Sequence, residues 1–138
     1  MSATVLIVDD EPDVARYLTM ALRANGYTAV TADSVEHGLE EVHKARPDLI
    51  CLDIMMPRQS GITMYTQLKN DKTLRSIPVI FISGVGHEDP WDFRSFVPDE
   101  SIPPPELFLE KPIDAELFIE SIEQLIASTR GHQGGPNK

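Results

Sequence analysis

Four short apolar runs along the chain end at, or just before, polar residues that can carry chemistry. Runs of this length without polar alternation are typical of strands buried on both faces of a parallel sheet. A parallel β-sheet is therefore predicted to form the centre of the fold. The predicted strands cover 5–8, 49–52, 78–82 and 107–109, with a further strand over 27–32.

The segments between these runs have the apolar spacing of amphipathic helices. The first helix is predicted to begin at Pro12, and Asn25-Gly26 ends it. Ser34 and Asp114 are suitable N-caps for the second and the last helix. The alternation of strands and helices predicts an α/β fold, an open sheet with helices on both faces. Ligands of such sheets bind at the carboxyl ends of the strands.

The chain has 138 residues, one cysteine and a formal net charge of −10. This length suits one domain, and a single cysteine excludes an internal disulfide framework and fits a reducing compartment. No apolar run approaches the roughly 20 residues of a membrane span, and the acidic N-terminus is unlike a signal peptide. The negative charge argues against direct binding of nucleic acid or of anionic membranes. We therefore expect a cytoplasmic protein.

Four predicted strands end at residues suited to phosphoryl chemistry. The carboxyl ends of parallel strands lie along one edge of a sheet, so these side chains are expected to converge. Carboxylates placed close together repel one another, and a divalent cation would relieve the repulsion. An incomplete carboxylate site suits Mg²⁺, and a lysine and a hydroxyl beside it would complete a phosphoryl-binding site. The residues are Asp9, Asp10, Asp53, Ser83 and Lys111.

This set, in this order, resembles the receiver domain of bacterial two-component response regulators, in particular the chemotaxis-type single-domain receivers. The resemblance implies a flavodoxin-like, doubly wound five-stranded parallel sheet of order 2-1-3-4-5, with helices on both faces. It implies one receiver domain, assigned to 1–130, and the Gly- and polar-rich residues 131–138 are expected to form a flexible tail. The matching residues are Asp9-Asp10, Asp53 with Ile54-Met55-Met56-Pro57, Gly61, Ser83-Gly84 and Lys111-Pro112.

The resemblance implies that Asp53 is the nucleophile that accepts a phosphoryl group. The donor would be a sensor histidine kinase or a phosphotransfer protein. Mg²⁺ would be held by Asp9, Asp10 and Asp53, together with the backbone carbonyl of Met55. The chain would catalyse only its own phosphorylation and dephosphorylation and would not otherwise be an enzyme.

Three further roles follow from the resemblance. Lys111 would pair with a phosphoryl oxygen and offset the charge that develops there. Ser83 would hydrogen-bond the phosphoryl group once it is present, which would move the loop after the fourth strand. Phe108 occupies the position of the family's switch aromatic, although a plain core role is the alternative. The switch would change a surface that binds a downstream protein partner.

The chain departs from the family between Ser83 and Lys111, which are separated by 28 positions, more than is usual. The additional length is assigned to a Pro-rich insertion over 96–106, which includes three consecutive prolines. Because such prolines cannot lie inside a helix, we predict a short helix over 90–96 followed by an extended acidic loop. Receivers commonly dimerise through this region, so a homodimer stays an alternative. The insertion argues against the dimer geometry that is usual in the family.

Most of the negative charge lies in residues 88–123, which hold eleven acidic and two basic residues. A solvated face is one interpretation of this charge, and a surface that attracts a basic partner is the other. Two alternatives to a stand-alone receiver stay open. The chain could be a receiver fragment of a longer response regulator, or a small Mg²⁺-dependent phosphohydrolase. The apolar Met55 argues against the phosphohydrolase, which needs an acid at that position.

Overall fold

The computed structural model describes residues 3–54, 61–84, 94 and 97–133. In this part of the chain strands and helices alternate as the apolar pattern predicts. The strands are β1 (Thr4–Val8), β2 (Thr28–Ala32), β3 (Leu49–Asp53), β4 (Val79–Ser83) and β5 (Leu107–Glu110). The helices are α1 (Pro12–Ala24), α2 (Val35–Ala45), α3 (Gly61–Lys69) and α4 (Ala115–Gln133).

The five strands form one sheet in the order β2-β1-β3-β4-β5, and every neighbouring pair is parallel. The predicted fold class is therefore confirmed. The order reverses direction at β1 and β3, so the carboxyl ends of these two central strands flank the crevice in which such sheets bind ligands. Asp9 follows β1 directly, and Asp53 is the last residue of β3.

Two hydrophobic cores lie on opposite faces of the sheet. One contains the apolar sides of α2 and α3, and the other contains those of α1 and α4. Successive strand residues alternate between the cores: Leu6 and Val8 belong to the first, and Val5 and Ile7 to the second. All four side chains are fully buried, which explains why the strands are apolar without polar alternation.

The helix ends follow the predicted signals, except at the C-terminus. The Ser34 hydroxyl accepts a 3.0 Å hydrogen bond from the amide of His37 and caps α2. Gly26, after α1, has a φ of +88°, which favours glycine. Helix α4 continues to Gln133, so the first three residues of the predicted tail over 131–138 are helical, and the flexibility of the tail stays a prediction. A glycine such as Gly131 costs a helix only about 1 kcal/mol and does not end it alone.

The described part of the insertion contains no helix or strand, and it is anchored to the α2–α3 core. Val97 and Ile102 are buried in that core. Asp99 closes a turn, because its Oδ1 accepts hydrogen bonds from the amide (2.9 Å) and the hydroxyl (2.7 Å) of Ser101. The Arg94 side chain donates to the Asp99 carbonyl at 2.7 Å. Apart from Arg94, the helix predicted over 90–96 lies outside the described residues.

Candidate functional site

Three carboxylates meet at the carboxyl edge of the sheet. Asp9 and Asp10 follow β1, and Asp53 ends β3, the strand paired with β1. One carboxylate oxygen of each lies within 4.8 Å of the others. Asp9 and Asp53 are only 2% exposed, whereas Asp10 is partly exposed. The three acids that the sequence assigned to a metal therefore lie together, with two of them held in a largely dry environment.

Lys111 supplies a cation to this cluster from the end of β5. Its Nζ lies 3.3 Å from Asp9 Oδ2 and 3.4 Å from Asp53 Oδ2. The Lys111 amide donates a 2.8 Å hydrogen bond to the carbonyl of Ser83, which ends the neighbouring strand β4. The Lys111-Pro112 peptide bond is cis, as is frequent in the resembled family. Ser83 is 1% exposed, so the sheet brings all five predicted site residues to one edge.

The electrostatics of the cluster favour a charged lysine. Partial burial lowers the pKa of Lys111, but the hydrogen bond to Glu11 and the charges of Asp53 and Asp9 outweigh it. The net result is a Lys111 pKa above its ordinary value. A lysine that stays protonated offers a permanent positive charge to a phosphoryl oxygen beside Asp53.

Glu11 belongs to the site and was missed by the sequence reasoning. Its carboxylate Oε1 accepts a hydrogen bond from Lys111 Nζ, and its amide donates one of 2.9 Å to Asp9 Oδ1. The signal was present, because Glu11 directly follows the acidic pair after β1. Its side chain is 58% exposed, in contrast to the buried acids, and it shields the outer side of the ammonium.

Gly61 fixes the backbone at the carboxyl end of β3. A Cβ at this position would stand 2.3 Å from the carbonyl oxygen of Asp53, far inside van der Waals contact. The Gly61 amide also donates a 3.3 Å hydrogen bond to the carbonyl of Ile54. The start of α3 therefore packs directly against the backbone of the predicted phosphoacceptor, and only glycine allows this approach.

Phe108 lies beside the site rather than in it. It is partly buried and faces Phe81 in the register of β4 and β5. The two rings meet edge to face, with centroids 5.7 Å apart. Phe81 in turn contacts Tyr65 of α3 edge to face at 4.9 Å. The aromatic side chain is thus in contact with the α2–α3 core, and its role as a switch remains a prediction.

The carboxylate set fits a hard divalent cation. Asp9 Oδ2 is buried and forms no hydrogen bond in the described part of the chain, although it lies 3.3 Å from Lys111 Nζ in an ion pair. A buried carboxylate oxygen loses its contacts with water, and here no hydrogen bond fully replaces them. A divalent cation bound to this oxygen would compensate for the loss. The acidic triad is typical of the Mg²⁺ site of receivers. Met55, predicted to contribute its backbone carbonyl, lies outside the described residues.

The sequence model of the response regulator receiver domain matches residues 5–123. The chain belongs to this family. Receivers are signalling modules of two-component systems, they pair with histidine kinases, and they are not otherwise enzymes. The chain has the acidic pocket of Asp9, Asp10 and Asp53 with Lys111 beside it, and membership of the family implies phosphoacceptor signalling.

Relatives and solved structures agree with this assignment. The chain is 30% identical to protein PilH of Pseudomonas aeruginosa over 127 residues, which cover 91% of this chain and 98% of PilH. It is 37% identical over 86 residues to the phosphate regulon transcriptional regulatory protein PhoB of the same organism, a match that covers 62% of this chain and 38% of PhoB. The chain thus spans about two fifths of the length of this longer relative.

Two solved structures have the same fold. A CheY-like receiver domain protein from Methanospirillum hungatei superposes with a TM-score of 0.80 at 17% identity, and covers 96% of this chain and 99% of that one. The N-terminal domain of a response regulator receiver protein from Methanoculleus marisnigri gives 0.67 at 31% identity, with 91% and 97% coverage. No helix in the described residues is long and apolar enough to cross a membrane.

Proposed function

We propose that this receiver accepts a phosphoryl group on Asp53 in a Mg²⁺-dependent reaction and thereby changes a protein-binding surface. The observation that supports this most directly is the arrangement around the Asp53 carboxylate. Two further carboxylates lie within 4.8 Å, and the Lys111 ammonium lies 3.4 Å from Asp53 Oδ2. One nucleophile thus stands beside a cation-binding pair and a fixed positive charge.

In the proposed reaction a carboxylate oxygen of Asp53 attacks the phosphorus of a phosphodonor. The new O–P bond forms as the bond between phosphorus and the donor breaks, and the donor keeps the bonding electron pair. Lys111 pairs with a phosphoryl oxygen and offsets the developing negative charge. Asp9, Asp10 and Asp53 would hold the Mg²⁺ ion, which supplies further charge neutralisation at the phosphoryl oxygens.

The proposed response involves Ser83 and Phe108. Ser83 is buried at the end of β4 and is joined to Lys111 through the backbone hydrogen bond between β4 and β5. A phosphoryl group adds strong acceptor oxygens at this edge, and the Ser83 hydroxyl is the donor proposed to bind one of them. Phe108 contacts the core next to it and is proposed to change position with this loop, which biases two pre-existing arrangements.

The proposed partners follow from the family. The phosphodonor would be a sensor histidine kinase or a phosphotransfer protein, and the output would be a downstream protein. PilH matches this chain over nearly its whole length, whereas PhoB, named as a transcriptional regulatory protein, is much longer. We propose a protein rather than DNA as the direct partner of this domain, because its net charge of −10 repels the DNA backbone.

Intact-protein mass spectrometry after incubation with acetyl phosphate and Mg²⁺ tests the proposal. We expect a mass gain of one phosphoryl group in the wild type and none in Asp53→Asn. Asp10→Asn and Lys111→Ala should each lower the rate of gain by at least about tenfold, because the first removes a proposed Mg²⁺ ligand and the second removes the ammonium that pairs with a phosphoryl oxygen. Asp33→Asn is the matched control, since Asp33 follows β2 and its side chain is 81% exposed, and it should behave as the wild type.

Three results would contradict the proposal or a part of it. One is a full mass gain in Asp53→Asn, which would place the phosphoryl group on another residue. Another is the absence of any mass gain from acetyl phosphate, phosphoramidate or a panel of histidine kinases. For this result to count, circular dichroism must show that the protein is folded, and its binding of Mg²⁺ must be verified separately. Omission of Mg²⁺ should abolish the reaction, and the same extent of reaction in chelator would contradict the proposed metal requirement.

A further inference from the structure

A groove of about 600 Å³ lies between α1 and α4, on the outer side of the core that these helices cover. Three of the eight residues that line it are alanines, whose short side chains leave space between the helices. Ala21 and Ala24 come from α1, Ala115 comes from the start of α4, and Ile119 is 8% exposed. The groove contains none of the residues assigned to phosphoryl chemistry.

The α4 wall of the groove carries a row of negative charge. Glu116, Glu120 and Glu123 are spaced at i, i+4 and i+7, so they project from the same side of the helix. All three are exposed, and none forms an ion pair with a described residue. No lysine, arginine or histidine lines the groove. The lining therefore has three negative charges and no compensating cation.

The basic residues of α1 lie on the side of the helix that faces away from α4. Arg16 and Arg23 line a different hollow, on the side towards β2 and α2. The side that faces α4 offers Ala21 and Ala24 instead. The last turn of α1 ends at this groove with Asn25, whose side-chain amide donates a 2.8 Å hydrogen bond to the carbonyl of Ala21. The α1 wall adds no charge of its own, and the three glutamates of the α4 wall favour a positively charged occupant over a neutral or negative one.

We propose that the α1–α4 groove binds a basic amphipathic helix of a partner protein. The short apolar residues offer contact to an apolar stripe, and the glutamates pair with lysines or arginines beside that stripe. The row from Glu116 to Glu123 spans about 10 Å, or two helical turns, so cations spaced i, i+4 and i+7 on the partner match it. Long lysine stems can pack over the alanines while their ammonium groups meet the carboxylates.

A capped 15-residue helical peptide, with lysines at three such positions beside an alanine–leucine stripe, tests the proposal. We expect it to shift the backbone NMR signals of residues 21–25 and 115–123 in the ¹⁵N-labelled chain. A peptide with glutamate in place of lysine, and a scrambled peptide of the same charge, serve as probe controls and should not bind at that groove. Binding should weaken with added salt, because the contacts are partly exposed ion pairs.

Three variants locate the binding. Glu120→Lys reverses the central charge of the row and should weaken binding by at least about tenfold. Ala24→Leu should weaken it without any change in charge, because the larger side chain fills the groove; leucine is a good helix former, so the fold is retained. Glu40→Lys is the matched control, with the same change in charge at an exposed position on α2, and should change the affinity by less than about twofold.

Several outcomes would overturn the proposal. Equal losses in Glu120→Lys and Glu40→Lys would mean nonspecific attraction to an acidic protein, and binding of the scrambled peptide would mean the same. NMR shifts confined to other residues would place the site elsewhere. Concentration-dependent association in sedimentation, lost in Ala24→Leu, would mean that a second copy covers the groove. Because binding should persist in Asp53→Asn, a failure of the phosphorylation proposal leaves this test unaffected.

Discussion

The Tyr65 hydroxyl donates a 2.6 Å hydrogen bond to the carbonyl of Pro103. This bond joins α3 to the Pro-rich insertion across 38 positions of sequence. The Tyr65 ring is fully buried, and it contacts Phe81, which contacts Phe108. An unbroken series of contacts thus connects the insertion to the predicted switch aromatic. Specific contacts hold the insertion against the core, so the loss of one contact should change the stability of the protein measurably.

Tyr65→Phe is expected to lower the free energy of unfolding by about 1 kcal/mol, because it removes one hydrogen bond and keeps the buried ring. Urea denaturation measures the change. Hydrogen exchange should become faster in residues 98–106 and stay unchanged in β1 and β3. Tyr17→Phe is the matched control, since Tyr17 is 46% exposed, and it should leave the stability unaltered. Equal effects of the two substitutions would contradict the anchoring role of Tyr65.

The same tyrosine predicts a loss of stability at alkaline pH. Burial raises the pKa of Tyr65, the charge of Glu106 raises it further, and Arg94 opposes the effect. The folded state therefore favours the neutral phenol. Its contribution to stability is fully present below the ordinary tyrosine pKa of about 10 and is lost as the pH rises above it, where the unfolded chain ionises first.

Ultraviolet absorbance of tyrosinate, recorded with circular dichroism, checks this. In the wild type one of the three tyrosines should ionise only as the protein unfolds. Tyr65→Phe should remove that step. Complete ionisation of all tyrosines while the circular dichroism spectrum stays native would show the prediction to be wrong.

Much of the site was predictable from the sequence because the topology of the sheet determines where the strand ends lie. Once the apolar runs are assigned to parallel strands, the residues after them must meet at one edge, and this brings Lys111 to Asp53 across 58 positions. The pairing of Lys111 with Glu11 was not predictable in this way. Glu11 is exposed and lies in the loop after β1, so its contact depends on a side-chain conformation that no periodicity encodes.

The insertion was the least predictable segment. Three consecutive prolines indicate extended backbone but do not show what the apolar residues that precede them contact. Val97 and Ile102 are five positions apart, which is the spacing of neither a strand face nor a helix face, and yet both are buried. The hydrogen bond from Tyr65 depends on the position of a whole segment relative to α3, which local sequence does not specify.

Gly61→Ala is expected to destabilise the protein and to impair phosphorylation. The new Cβ would stand 2.3 Å from the Asp53 carbonyl oxygen, so the backbone of β3 or of α3 must move. Such strain typically costs about 1–3 kcal/mol, and it shifts Asp53 relative to Lys111. Gly84→Ala is the matched control, because a Cβ there meets no described atom within 4 Å. Thermal unfolding and acetyl phosphate labelling compare the two; equal behaviour would contradict the proposed role of Gly61.

The crowded carboxylates predict a stability that depends on Mg²⁺. Without metal, Lys111 is the single described cation within 4 Å of the buried carboxylates of Asp9 and Asp53, and Asp10 adds a third negative charge. Removal of one charge in Asp53→Asn should therefore raise the melting temperature in chelator, because it reduces the repulsion. Mg²⁺ should raise the melting temperature of the wild type, because it binds the folded state alone. At a Mg²⁺ concentration of about 100 times its Kd, the free energy of unfolding should increase by about 2–3 kcal/mol.

The two effects should not add. Asp53→Asn removes a proposed ligand, so Mg²⁺ should stabilise this variant much less than the wild type. Asp33→Asn, which lies outside the cluster, should show the full Mg²⁺ effect and no gain in chelator. Differential scanning fluorimetry across a Mg²⁺ titration, with Ca²⁺ for comparison, measures all three proteins. If Mg²⁺ does not change the melting temperature of the wild type, or shifts that of Asp53→Asn equally, then Asp9, Asp10 and Asp53 do not hold the ion.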